Sequence, residues 1–123
     1  MAELVLVVDD NEQNAKLVRD VLEVAGLHAL TASTAANGVA LAREHLPDVI
    51  LMDLRLPDLD GTEAVKLLAA DERTARIPVV ALSALRADEA AASVVDAGFA
   101  GYIEKPVDVR ELAGLVRLYC GER

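Results

Sequence analysis

Val49-Ile50-Leu51-Met52-Asp53-Leu54-Arg55-Leu56-Pro57-Asp58-Leu59-Asp60-Gly61 reads as a buried strand that ends on a carboxylate and then breaks into a turn. The four residues before Asp53 are all apolar, the pattern of a central parallel strand covered on both faces. Asp53 therefore falls at the carboxyl end of its strand, and ligands of open α/β sheets bind at that edge. A second run, Leu4-Val5-Leu6-Val7-Val8, stops in the same way at Asp9-Asp10. If the two strands are neighbours, three carboxylates converge on one small volume. Their mutual repulsion calls for a cation.

Working outward, strand-like and helix-like stretches alternate along the whole chain. Asn11 to Gly26 places Leu17, Val18, Val21, Leu22 and Ala25 at helical spacing, with Gly26 as the stop. Leu27-His28-Ala29-Leu30-Thr31 is short and suits an edge strand. Ser33 or Thr34 caps a second helix whose inner face is Ala35, Val39, Ala42 and Leu46, ended by Pro47. After the Gly61 turn a third helix runs from Thr62 to Ala70, with Val65 and Leu68 inward. Ile77-Pro78-Val79-Val80-Ala81-Leu82-Ser83 is the fourth strand, its Pro tolerated at the start. An alanine-rich fourth helix spans about Asp88 to Ala97 and stops at Gly98. Gly101-Tyr102-Ile103 gives a brief fifth strand, and a last helix from Asp108 turns Val109, Leu112, Val116 and Tyr119 inward. Five βα units with short connections predict an α/β fold, a doubly wound parallel sheet with helices on both faces. Convergence of the first and third strands' carboxylates favours the flavodoxin-like order 2-1-3-4-5.

Composition bounds the function. The 123 residues, 54% hydrophobic, are enough for one domain with its own core, here taken as 1–123. No run approaches the ~18 apolar residues of a membrane span, and no secretory signal opens the chain. The cytoplasm is the expected setting. A formal net charge of -9 argues against direct nucleic-acid binding, which needs clustered Lys and Arg. Cys120 is the single cysteine, so a disulfide framework and a cysteine-based metal site are both excluded. His28 and His45 lack partners at metal-ligand spacing and read as surface or strand-edge residues. Asp58 and Asp60 read as turn formers beside Gly61.

Four stretches taken together resemble the response-regulator receiver domain over its whole length. They are Val8-Asp9-Asp10-Asn11, then Leu51-Met52-Asp53-Leu54 with Leu56-Pro57-Asp58-Leu59-Asp60-Gly61, then Ala81-Leu82-Ser83-Ala84, and Tyr102-Ile103-Glu104-Lys105-Pro106. Asn11-Glu12-Gln13-Asn14 and Lys105-Pro106-Val107 are also similar to stand-alone DivK-like receivers and to receivers of hybrid kinases. Departures are modest: Thr62 replaces an apolar residue, Phe99 is larger than the usual Ala, and Ser83 stands where Thr is more common.

The resemblance implies a two-component phosphorelay protein. Mg²⁺, a hard cation suited to carboxylates and phosphate oxygens, would be held by Asp10, Asp53 and the Arg55 carbonyl, with Asp9 acting directly or through water. Asp53 would take a phosphoryl group from a phospho-His donor. Lys105, aimed inward by a cis bond to Pro106, would neutralise it. Ser83 and Tyr102 would form the switch that alters the surface of the fourth helix, fifth strand and last helix. Arg55 and Leu85 would flank the mouth of the site and slow hydrolysis. Partners would be a sensor histidine kinase or a histidine phosphotransfer protein, and a downstream protein target. The chain would be no enzyme beyond its own phosphorylation and dephosphorylation. Two other classes compete. A pseudo-receiver is disfavoured by the presence of Asp10, Asp53, Ser83 and Lys105. A haloacid-dehalogenase-type phosphatase wants a second Asp where Arg55 stands.

Overall fold

Five short apolar runs pair side by side, and the helices between them cover both faces of the resulting sheet. The computed structural model describes residues 3–83, 97–105 and 108–120, with residue 83 described by its backbone alone. The strands are β1 (Leu4–Val8), β2 (His28–Ala32), β3 (Val49–Asp53), β4 (Val79–Ser83) and β5 (Gly101–Glu104). The helices among the described residues are α1 (Glu12–Val24), α2 (Ala35–His45), α3 (Gly61–Ala70) and α4 (Val109–Cys120). The sheet order is β2-β1-β3-β4-β5 with every pair parallel, as the sequence predicts. Apart from Ala97, the alanine-rich stretch expected from Asp88 to Ala97 lies outside the described residues. So do Ala84, Leu85, Pro106 and Val107. None of the described helices is long and apolar enough to cross a membrane.

Strand alternation divides the core in two. Val5, Val7, Val49, Leu51, Val80, Leu82 and Ile103 pack against Val18 and Leu22 of α1 and Leu112 and Val116 of α4. Leu6, Val8, Ile50, Met52, Val79 and Ala81 pack against α2 and α3. All five residues of β3 are buried. Each fully buried aliphatic side chain of this kind contributes roughly 1.5–3 kcal/mol. The same numbering parity positions the chemistry: Asp9 continues Val5 and Val7, Asp53 continues Val49 and Leu51, and Lys105 continues Ile103. A one-residue slip in any of these strands would exchange its faces.

Helix ends follow side-chain chemistry. Asn11 caps α1 by accepting from the Asn14 N–H at 3.0 Å, and Thr34 caps α2 by accepting from the Asn37 N–H at 3.1 Å. Gly26 ends α1 at φ 94°, a conformation that glycine adopts without penalty. Leu46 and Val109, expected inside, are outside, and Leu17, counted in the helical spacing of α1, is exposed as well. Leu17 is exposed because Ala15, Val18 and Leu22 form the inner stripe of α1. Leu46 is exposed because α2 stops one residue earlier and Leu46 turns left-handed at φ 48°; the following Pro47 disfavours continued helix there. Val109 is exposed because the buried stripe of α4 is Leu112, Val116 and Cys120. The edge strand runs one residue later than expected, leaving Leu27 buried before it. β4 likewise starts at Val79 rather than Ile77.

Candidate functional site

β1 and β3 are adjacent, with Val8 opposite Met52, so Asp9 and Asp53 follow one step beyond the last paired residues. Carboxylate oxygens of Asp9, Asp10 and Asp53 all come within 4.8 Å of one another. Asp9 and Asp53 are buried and Asp10 is exposed. Lys105 reaches in from the end of β5. Its Nζ donates to Asp53 Oδ2 at 2.8 Å and lies 3.4 Å from Asp9 Oδ2. Partial burial pushes the Lys105 pKa down, but the Asp53 and Asp9 carboxylates outweigh that and leave it above its ordinary value. The side chain is thus a fixed cation at neutral pH.

Backbone donors hold the two buried carboxylates. Asp53 Oδ1 accepts from the Arg55 N–H and Asp9 Oδ1 from the Asn11 N–H, each at 3.0 Å. The loop after Asp53 folds back tightly. Gly61 N–H donates to the Leu54 carbonyl at 2.9 Å, and Arg55 bridges Asp60. A Cβ on Gly61 would lie 2.5 Å from the Asp53 carbonyl oxygen, so only glycine fits that return. The Arg55 side chain is exposed and makes no ion pair with any described residue.

Ser83 ends β4 in register with Glu104, and its side chain lies outside the description. Tyr102 pairs with Ala81 and is half-buried against the α2–α3 side of the core, the face opposite the carboxylates' parity. His28 and His45 are exposed and away from the site. Two features escaped the sequence reading. Asn14 donates its side-chain amide to Asp9 Oδ2. Asp58, read as a turn former, uses both carboxylate oxygens to accept from the Ala35 and Ala36 N–H groups at 2.8 and 2.9 Å, at the start of α2. Asn14 was signalled by its place in the first turn after Asn11. Asp58 carried no local signal, because its partners are distant in sequence.

The donor set is all oxygen, with one exposed carboxylate open to water, which suits a hard divalent cation. Three carboxylates face one ammonium, so a dication balances the charge. Against known proteins, the sequence matches the response regulator receiver domain over residues 5–117. The chain belongs to that family. It is 37% identical to the polar-differentiation response regulator DivK of Brucella ovis over 99% of both chains. The fold superposes on the receiver domain of sensor histidine kinase PA1611 from Pseudomonas aeruginosa, with TM-score 0.89, 30% identity and coverage of 98% of this chain and 99% of that one. In that structure a magnesium ion is coordinated in the active-site cleft. The chemotaxis response regulator CheY4 of Vibrio cholerae matches with TM-score 0.91 and 25% identity over 97% of this chain and 99% of that one. This receiver domain is accordingly a response-regulator module of two-component signalling.

Proposed function

We propose that this receiver takes a phosphoryl group from a phospho-His donor onto Asp53 and signals by protein–protein contact. The observation that carries the reading is Lys105 Nζ held between Asp53 and Asp9, beside the exposed Asp10. A carboxylate oxygen of Asp53 attacks phosphorus, a P–O bond forms, and the P–N bond to the donor imidazole breaks. Such transfer depends chiefly on positioning and charge neutralisation. Asp9, Asp10, Asp53 and the Arg55 carbonyl would hold Mg²⁺, which supplies positive charge to the phosphoryl oxygens; the ion in the PA1611 receiver supports this choice of metal. Lys105 pairs with the phosphoryl group once it is on Asp53, and the Ser83 hydroxyl donates to it. Tyr102 follows Ser83 and changes the face formed by the 88–97 segment, β5 and α4. The partners are a sensor histidine kinase or a histidine phosphotransfer protein, and a protein target, all in the cytoplasm. The only chemistry catalysed is the protein's own phosphorylation and dephosphorylation, and residues 1–123 act as one receiver unit.

The test is intact-mass spectrometry after incubation with Mg²⁺ and a small acyl-phosphate donor. One added phosphoryl group is expected, absent without Mg²⁺ and absent in Asp53→Asn. Labelling of Asp53→Asn at the wild-type rate would overturn the assignment.

A further inference from the structure

We propose that Asn14 is a positioning residue for the metal site, holding the buried Asp9 carboxylate at the angle the cation needs. The inference rests on the Mg²⁺ reading above and goes beyond it by adding a neutral side chain from α1. Three hydrogen bonds close a ring around the β1–α1 junction. Asp9 Oδ1 accepts from the Asn11 N–H at 3.0 Å, Asn11 Oδ1 accepts from the Asn14 N–H at 3.0 Å, and Asn14 Nδ2 donates to Asp9 Oδ2. The Asp9 carboxylate is therefore gripped through both oxygens, and its rotation about the side-chain axis is fixed by the same contacts that start the helix. Asp53 and Asp9 share Lys105, but no second uncharged side chain donates to Asp9, Asp10 or Asp53 among the described residues.

The residue type matters. A cation in place of Asn14 would compete with the metal for Asp9, and a carboxylate would add to the repulsion among the three already present. An amide donates without changing the charge, and its length lets a first-turn residue span the gap. Hydrogen-bond partners of metal ligands characteristically change metal affinity by about 10–100-fold when removed.

The experiment uses the full chain and MgCl2 alone, with the dissociation constant read by calorimetry. Asn14→Leu keeps the side-chain size and loses the donor, and Asn14→Ala loses both. Each is expected to weaken Mg²⁺ binding about tenfold. Thr74→Val is the matched control. It removes a buried hydrogen bond to the Leu68 carbonyl, at the end of the sheet away from the site. It should lower the melting temperature and leave Mg²⁺ affinity unchanged. In the wild-type protein the Asn14 side-chain amide resonances should also move as Mg²⁺ is added, a signature that needs no variant to fold. Wild-type affinity in both Asn14 variants, an equal loss in Thr74→Val, or unmoved amide resonances would each overturn the role of Asn14 while leaving Mg²⁺ binding intact. A wild-type protein that binds no Mg²⁺ would overturn both readings.

Discussion

At the scale of single residues, Lys105 occupies the position where charge is balanced, and its removal has a sign that can be checked. Its ammonium is paired with two of the three carboxylates that suit a metal. Lys105→Ala should therefore leave Mg²⁺ affinity at or above the wild-type level, because a competing cation has gone. Phosphorylation should no longer raise partner affinity, since the phosphoryl group loses a charge-assisted contact worth about 1.5–3 kcal/mol. Calorimetry with Mg²⁺ and partner titration of the phosphorylated variant separate the two effects. A weaker Mg²⁺ affinity would count against the first; a phosphorylation-driven rise in partner affinity would count against the second. Because the Lys105 pKa is raised, its ion pairs contribute fully below the ordinary value of 10.5 and fade only as pH climbs through the higher folded value. Asp9 and Asp53 were legible as strand-end carboxylates from the apolar runs before them, whereas the inward aim of Lys105 was legible only through the family resemblance. The Arg55 carbonyl and the Ser83 hydroxyl remain proposals carried by resemblance.

At the scale of elements, α2 shows what local sequence reveals and what it hides. Thr34 was readable as a cap because a hydroxyl precedes an apolar-periodic run, and it does accept from Asn37. The second cap was not readable. Asp58 belongs to the loop after β3, and only the fold brings its carboxylate to the first two N–H groups of the helix. Those hydrogen bonds hold the Asp58 pKa below its ordinary value of 3.8. The stabilisation is therefore present above that value and is lost as pH falls through the lower folded pKa. Asp58→Ala should melt at a lower temperature than wild type at pH 7, and the difference should close in acid as the wild-type carboxyl protonates. A gap that stayed constant down to pH 2 would assign the loss to something other than the carboxylate. The misplacement of Leu46 and Val109 has a different origin. Helical period fixes a stripe only to within about one residue, and the cap decides where the stripe ends.

At the scale of the whole molecule, the sheet order was legible because two apolar runs each ended on carboxylates, and only adjacency of β1 and β3 gives that coincidence a use. The return of the Gly61 loop onto the Asp53 carbonyl was less so, since a close approach depends on the path of the backbone rather than on composition. Asp53 is the last residue of the middle strand, and every residue of that strand is buried. Amide hydrogen exchange therefore has a defined expectation. The Ile50, Leu51 and Met52 amides should be among the last to exchange, with an opening free energy near the global value of roughly 5–15 kcal/mol. The last turn of α2, next to the left-handed Leu46, should exchange early. Faster exchange in β3 than at that helix end would contradict the packing. A phosphoryl group on Asp53 would then be fastened to a strand expected to be among the last to open. On the proposed function the strand would serve as a fixed post, and phosphorylation at its tip would be expressed as displacement of the loops around it.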